Sequence, residues 1–216
     1  MGNNAFEACK ISSVNLTGST ITTIPNSAFA NISTLTTATV PTSVTELVWR
    51  AFGDDSALTT VSGLSNVTTI GGHAFEACSN LTTVDIDWTK VTTIGTEAFS
   101  RCYNLPGTVN LSNVTSLGTY AFDQTSITSL SIGSGITSIP DRCCSYNTHL
   151  TSVTIPSTVT SIGYGAFDGC TSLTSFDFTN IDCLDSFSFR NSGITIANLS
   201  NSITTINSYV FDGAPL

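Results

Sequence analysis

The stretch Leu150–Ser172, LTSVTIPSTVTSIGYGAFDGCTS, contains one complete copy of the unit from which the whole chain is built. Its opening motif, L-x-x-V-x-I, predicts a strand with its apolar side chains on the inner side, and V-T-S-I supplies a second apolar pair. Gly163 then marks a turn. Phe167 and Cys170 stand three residues apart, a spacing that predicts one helical turn facing the core.

The Phe position of this unit returns along the entire chain at intervals of 22 to 24 residues. A constant period of this size indicates a solenoid, in which each repeat forms one coil and covers its neighbour's apolar face. Cys144 replaces the aromatic once, and we expect a packing irregularity there. Residues 104–107 lengthen their repeat by one residue, which predicts a bulge or a widened turn. The recurring aromatics are Phe6, Phe29, Phe52, Phe75, Phe99, Phe122, Phe167, Phe189 and Phe211.

The predicted architecture is an α/β horseshoe-type solenoid that is mostly β, with short helical turns at the Phe segments. Identical positions in successive coils should stack about 4.8 Å apart, so the opening strands should form one parallel sheet. No Pro/Gly/Ser linker or charge block interrupts the repeat. We therefore expect residues 1–216 to form a single domain of about nine to ten coils, each of 22–24 residues.

The motif L-x-x-V-x-I-P-x-x-V-T-x-I-G-x-x-A-F-x-x-C resembles the leucine-rich repeat subclass of the Treponema pallidum and BspA-like surface proteins. Residues 150–170 match it almost fully, and the likeness covers essentially the whole chain. The resemblance implies a right-handed leucine-rich repeat superhelix, often part of larger exported or surface-anchored bacterial proteins with proposed adhesion or host-contact roles. The start of this sequence, residues 1–6, lacks the features of a signal peptide. A cell-surface or secreted location is therefore implied by the resemblance alone.

Composition argues against two classes of partner. The net charge is −9, and the six Lys and Arg residues are scattered singly, whereas nucleic-acid binding requires a cluster of cations. No apolar run approaches the roughly 20 residues of a membrane-spanning helix. We expect neither nucleic-acid binding nor membrane insertion.

The cysteines and histidines give no sign of a cofactor or metal site. The seven cysteines lack zinc-type C-x-x-C pairs, and their odd number and scatter do not favour a disulfide framework. Cys78 and Cys102 fall in adjacent coils, within reach of a disulfide, but reduced, buried thiols are the favoured interpretation. His73 and His149 should lie about 15 Å apart, three coil spacings, as surface residues.

The carboxylates also favour a non-enzymatic protein. An acidic residue often follows the Phe position, and the row is interpreted as solvated turns rather than a calcium site, since one carboxylate per coil does not converge on one point. Asp85 and Asp177 should be four coil spacings, about 19 Å, apart, which is too far for a glycoside-hydrolase pair. The members of the acidic row are Glu7, Glu76, Asp123, Asp168 and Asp212.

The outward side of the opening strands is the candidate binding surface, because its residues are polar, small and form a nearly flat face. Trp88 follows one of these strands and is either an exposed anchor for a partner or a ring packed over its own loop. Trp49 has the same two interpretations. The outward positions are Asn15, Thr39, Ser62, Asp85, Asn110, Ser131, Thr154, Asp177 and Asn198. The candidate binding residues are Trp88, Asp85, Asp87, Asp177, Asn110 and Thr154.

The sequence thus favours a repeat scaffold that binds a protein or glycan partner, and the resemblance implies a bacterial surface as its location. The alternative is a structural spacer or a self-associating unit of a larger assembly. Both ends of the chain fall within a repeat and leave apolar coil faces, which makes end-to-end self-association a second expectation.

Overall fold

The computed structural model describes residues 1–216 and shows a parallel β solenoid in which most coils contribute two short strands. Opening strands carry the L-x-x-V-x-I motif, and second strands carry the V-T-x-I pair. The opening strands are β1 (Ser13–Asn15), β3 (Thr37–Thr39), β5 (Thr60–Ser62), β7 (Thr83–Val84), β9 (Pro106–Leu111), β11 (Ser126–Ile132) and β13 (Ser152–Thr154). The second strands are β2 (Thr23–Ile24), β4 (Glu46–Leu47), β6 (Thr69–Ile70), β8 (Thr93–Ile94), β10 (Ser116–Leu117), β12 (Ser138–Ile139), β14 (Ser161–Ile162), β15 (Cys183–Leu184) and β16 (Thr205–Ile206).

The strands form two parallel ladders rather than the one sheet that the sequence predicted. Opening strands pair in the orders β1-β3-β5-β7 and β9-β11-β13, and second strands pair as β2-β4-β6-β8-β10 and β12-β14-β15-β16. The second ladder exists because the V-T-x-I pairs of successive coils also stack in register, as Ile70 with Ile94 illustrates. Coils whose strands pair in both ladders are therefore hydrogen-bonded to each other along two lines of strands.

The register within the opening ladder is the one predicted. Val14, Ala38 and Val61 pair in successive coils, and the polar residues that follow them pair likewise. The irregularity expected near residues 104–107 is confirmed, because the pairing of β11 with β9 shifts by one residue between Ile127 and Ser129. Between β7 and β9 the ladder is broken, and a 3-10 helix, Trp88–Lys90, occupies the intervening chain.

The Phe rings form a stacked spine through the core. Phe29, Phe52, Phe75 and Phe99 are fully buried, and neighbouring rings from Phe6 to Phe122 stack with centroids 5.2–5.5 Å apart. The spine is interrupted where Cys144, also fully buried, occupies the Phe position, and it resumes between Phe167 and Phe189 at 5.3 Å. The expected packing irregularity at Cys144 is thus present. The spine belongs to one continuous cluster of 52 buried hydrophobic residues.

The Phe segments are turns, not the helical turns that were predicted. Every non-glycine residue with positive φ lies two residues before or two residues after a Phe position (Cys144 included), with φ between 49° and 63°. These left-handed residues stop an α-helix from forming and point alternate N–H groups along the solenoid axis. Phe52 N–H, for example, donates to the carbonyl oxygen of Ala74 in the next coil at 2.8 Å. The right-handed sense of the superhelix stays a prediction.

Candidate functional site: the turn face

The exposed aromatic side chains and the arginines lie on one surface of the solenoid. We call this surface the turn face and define it as the exposed and half-buried side chains from three residues before to five residues after each Phe position, counting Cys144 as one. Its aromatics are 36–63% exposed, and no other large aromatic side chain of the chain is as accessible. They are Trp49, Tyr103, Tyr120, Tyr146, Tyr164 and Tyr209. The arginines are Arg50, Arg101, Arg142 and Arg190, all four in the chain.

The repeating backbone places these side chains in rows. Equivalent residues of adjacent coils become neighbours, so the ring of Phe187 stacks on the ring of Tyr209 at 5.3 Å. The guanidinium of Arg50 lies 5.3 Å from the centroid of the Trp49 ring, and that of Arg142 lies 5.3 Å from the Tyr164 ring. Cation–π contacts of this kind hold both partners in fixed orientations. The turn face is therefore an ordered surface.

Three of the five acidic residues that follow the Phe positions are not solvated as the sequence predicted, whereas Glu7 is half-buried and Asp212 is exposed. Glu76, Asp123 and Asp168 are buried, with 8%, 5% and 0% of their surface exposed. The Asp168 carboxylate accepts hydrogen bonds from Arg190 Nε at 3.0 Å and from the Arg190 terminal nitrogen at 2.5 Å. That bond raises the pKa of Arg190 further above its usual value. These carboxylates turn inward because the next coil supplies a partner for each, Ser145 for Asp123.

His73 is not the isolated surface residue that was expected. Its Nδ1 atom lies 2.7 Å from Glu76 Oε2 and 3.8 Å from Glu97 Oε2, and its ring meets the edge of Trp49 at 5.8 Å. Arg101 pairs with the other oxygen of Glu76. Burial raises the pKa of Glu76, but its hydrogen bonds and electrostatic interactions with His73 and Arg101 outweigh burial and lower the pKa below its usual value.

A shallow cavity of about 260 Å³ opens on the same face, between Tyr103 and Tyr146. Gln124, Thr148 and His149 supply polar groups around it. A second cavity, of about 460 Å³, is lined almost entirely by polar residues and glycines, and it includes Thr39 and Asp85 from the predicted binding surface.

The carboxylates and the amide chosen from the sequence are hydrogen-bonded to their own or adjacent turns; Asp85 and Asp177 are exposed, and Asp87 and Asn110 are half-buried. Asp85 accepts hydrogen bonds from the backbone N–H groups of residues 63 and 64. Asp87 and Asp177 each accept from the backbone and hydroxyl of the residue two positions on, bonds that lower the pKa of both carboxyl groups. Asn110 bonds the N–H of residue 112 in the same way. Thr154 is exposed at the end of β13.

The two tryptophans have different surroundings. Trp88 is half-buried, and its ring packs against Phe99 and Phe122 at centroid distances of 5.6 and 6.0 Å. Trp88 therefore packs over the core and is not a freely exposed anchor. This is close to the interpretation of a ring packed over its own loop. Trp49, by contrast, is 47% exposed on the turn face.

The cysteines three residues after the Phe position are free thiols, as expected. Cys78, Cys102 and Cys170 are fully buried, each donates to a backbone carbonyl of the preceding coil, and burial raises the pKa of each thiol. Cys9 is exposed, unlike the others. Asp55 occupies the same position in its coil, and its burial raises the pKa of that carboxyl to about 8.

No helix of the chain combines the length and apolar character that crossing a bilayer demands.

Comparison with known proteins identifies the repeat. No curated protein gives a significant sequence match. Among solved structures, a leucine-rich repeat protein from Bacteroides ovatus is 23% identical with a TM-score of 0.68, over 82% of this chain and 54% of that one. The chain therefore spans about half the length of that protein.

Two further structures share the fold. A leucine-rich repeat protein from T. pallidum is 26% identical with a TM-score of 0.67, over 76% of this chain and 78% of that one. The pneumococcal vaccine antigen PcpA is 15% identical with a TM-score of 0.52, over 94% of this chain and 70% of that one. The profile described as "BspA type Leucine rich repeat region" matches in six copies, over residues 1–124, 50–147 and 137–216. The chain belongs to the BspA-type leucine-rich repeat family.

Proposed function

We propose that residues 1–216 form one solenoid domain, a scaffold without catalytic chemistry that binds another protein through the turn face. The observation that carries the proposal is the concentration of exposed tyrosine and tryptophan on that face, together with all four arginines, of which Arg101 is exposed and the others are half-buried. These three residue types dominate the binding energy of protein interfaces, because each offers a large contact area together with a polar group.

The fixed orientation of side chains on the turn face supports this choice over the strand face, which is the outward side of the opening strands. Trp49 and Tyr164 are held by cation–π contacts with Arg50 and Arg142, so little side-chain entropy is lost when a partner binds. The strand face offers mainly Thr, Ser and Asn. Its carboxylates, such as Asp85, are already hydrogen-bonded to neighbouring turns.

The length of the row of turn-face aromatics favours a protein over a single saccharide as the partner. From Trp49 to Tyr209 the aromatics span seven coil spacings, about 34 Å. An interface of standard size buries about 800 Å² on each partner, which a row of this length can supply. The family resemblance supports a bacterial surface or secreted location, where such a scaffold would serve adhesion or contact with a host.

The experiment is a binding screen against immobilised extracellular-matrix proteins and a glycan array. For a probe that binds, Trp49→Ala and Tyr146→Ala should each weaken binding at least about ten-fold, as expected for interface anchors. Thr154→Ala on the strand face and Trp88→Phe in the core are the matched controls, and both should bind like the unmodified chain. Loss of binding in Thr154→Ala with no loss in the two turn-face variants would refute the proposal. Binding of glycans alone would refute the choice of a protein partner.

A second candidate function, end-to-end assembly, has its own observation. The N–H groups of Phe189 and Asn191 donate to the coil that follows, whereas those of Phe211 and Gly213 have no such acceptor. Ile206, at the position of the fully buried Leu184 in the coil before, is 50% exposed. This surface would accept a further coil, including the first coil of a second copy. Light scattering should then show a mass that rises with concentration and falls back to the monomer in Ile206→Asp, and a strict monomer would contradict it.

A further inference from the structure

We propose that His73, Glu76 and Glu97 form a binding site for a divalent transition-metal ion of the Zn²⁺ type. One nitrogen of His73 and one carboxylate oxygen of each glutamate lie within 4.8 Å of one another. No other three His, Cys, Asp or Glu side chains of the chain come together in this way. The proposal does not rest on the partner surface proposed above, although the site lies on the same face and the ring of His73 contacts that of Trp49.

The solenoid brings these residues together in two ways, by stacking equivalent positions of adjacent coils and by the three-residue separation within one turn. His73 and Glu97 hold the same position in adjacent coils, two residues before Phe75 and Phe99, and both have left-handed backbone with φ of 58° and 56°. Glu76 follows His73 by three residues, on the other side of the turn. Side chains at equivalent positions are one coil spacing, about 4.8 Å, apart, which is close enough for two of them to share one ion.

The donor set fits zinc rather than calcium or magnesium. Zn²⁺ binds imidazole nitrogen and carboxylate oxygen at about 2.0–2.2 Å, which separates tetrahedral ligand atoms by about 3.3–3.6 Å. The observed separations from His73 Nδ1, 2.7 Å to Glu76 and 3.8 Å to Glu97, lie on either side of that distance. Calcium and magnesium instead require a shell of oxygen atoms. Because the side chains of His73 and Glu97 are 25% and 29% exposed, water can reach the remaining coordination position.

Arg101 is the nearest cation and acts as a support for the site. It pairs with Oε1 of Glu76, so that Oε2 is left facing His73. A ligand carboxylate held through its other oxygen is a common way of orienting a metal ligand. With a neutral imidazole, the two glutamates and Arg101 together carry one negative charge, so a cation is attracted. The Arg50–Asp54 ion pair in the preceding coil adds no net charge.

The test is titration calorimetry with ZnCl₂ on untagged protein. All variants are made in a Cys9→Ser, Cys183→Ser background, because these are the two thiols that are not buried. We expect one ion per chain, and His73→Gln and Glu97→Gln should each weaken binding at least about ten-fold, as loss of a ligand requires. His149→Gln is the matched control and should bind like the background protein. Each variant's thermal midpoint without metal checks that it is folded.

Fluorescence gives a second readout that a general loss of stability would not produce. The ring of Trp49 lies 5.8 Å from that of His73, so Ni²⁺ or Cu²⁺ at the site should quench its emission. The saturable quenching should disappear in Trp49→Phe and in His73→Gln. The proposal is overturned if the background protein binds no Zn²⁺ up to about 1 mM, a limit that corresponds to about 4 kcal/mol of binding free energy. It is also overturned if His73→Gln binds as tightly as His149→Gln.

Discussion

Replacing Phe99 with alanine removes a ring from the middle of the buried spine, and its effect can be worked out from its neighbours. The side chain is fully buried, with Phe75 on one side at 5.2 Å, Phe122 on the other at 5.4 Å, and Trp88 tilted against it at 5.6 Å. Deletion of a buried aromatic side chain costs about 3–5 kcal/mol, and two lost ring-stacking contacts put this case at the upper end of that range. We therefore expect a loss of about 4–5 kcal/mol in the free energy of unfolding.

The matched control is Phe6→Ala in the first coil. Phe6 is half-buried and stacks on one ring only, Phe29, at 5.2 Å. Its loss should cost about 1–2 kcal/mol, since less apolar area is buried and one contact is missing. Urea unfolding followed by circular dichroism measures both values. Equal losses in the two variants, or a Phe99→Ala protein as stable as the unmodified chain, would refute the inference that stability comes from a stacked spine.

Three further predictions concern buried carboxylates and the left-handed backbone. Because the pKa of Asp55 is raised to about 8 in the fold, stability should fall by up to about 1.4 kcal/mol per pH unit as the pH rises from 5 to 8. In Asp55→Asn the thermal midpoint should vary little with pH over that range. A midpoint that depends on pH as steeply as in the unmodified chain would contradict a raised pKa at Asp55. Arg190→Ala should cost about 3 kcal/mol, because it leaves the buried Asp168 carboxylate with only Arg142, 4.0 Å away, as a cationic partner, whereas Arg50→Ala, whose partner has a side chain 38% exposed, should cost under about 1 kcal/mol. Urea unfolding of the two arginine variants decides this, and similar losses would contradict it. Ala77→Gly should raise stability by about 1 kcal/mol, because alanine at φ 56° is strained and glycine is not, and destabilisation in the same assay would argue against that backbone.

The regular part of the fold could be predicted from the sequence because each coil repeats the same apolar positions. The spacing of the Phe residues predicted the stacked spine and its interruption at Cys144, and the L-x-x-V-x-I motif predicted the register of the opening strands. The second ladder was missed because its strands are only two residues long. The turns were predicted as helical because a separation of three residues between Phe and Cys fits one helical turn as well as it fits the turn that the structure shows.

The left-handed backbone left only a partial signal in the sequence. Positive φ is normally indicated by glycine or asparagine, as at Gly165 and Gly169 around Phe167, but in other coils it falls on Arg50, His73 and Glu97. These residues adopt it because hydrogen bonds to the next coil and burial of the adjacent Phe ring outweigh a strain of about 1–2 kcal/mol at each position. Such a balance depends on contacts between coils and is not visible in one repeat.

The turn face was missed for a different reason. Its aromatics are spread over several positions relative to Phe, and none of these positions is aromatic in every coil: Trp49 and Tyr164 lie three residues before it, and Tyr120 lies two before. Aligning the coils on the Phe position would have brought these residues together. The partners of the buried carboxylates, such as Arg190 for Asp168, come from the next coil and would have appeared in the same alignment.

The Phe turns of successive coils are hydrogen-bonded in register, and these bonds hold the turn-face side chains in fixed rows. Native-state hydrogen exchange, resolved at single amides, tests this stacking of the turns. Phe75 N–H and Phe99 N–H donate to the next coil at 2.8 and 2.9 Å and should exchange slowly, whereas Phe211 N–H, which has no acceptor, should exchange fast. Exchange of Phe75 and Phe99 as fast as that of Phe211 would contradict the stacked turns and the surface proposed on them.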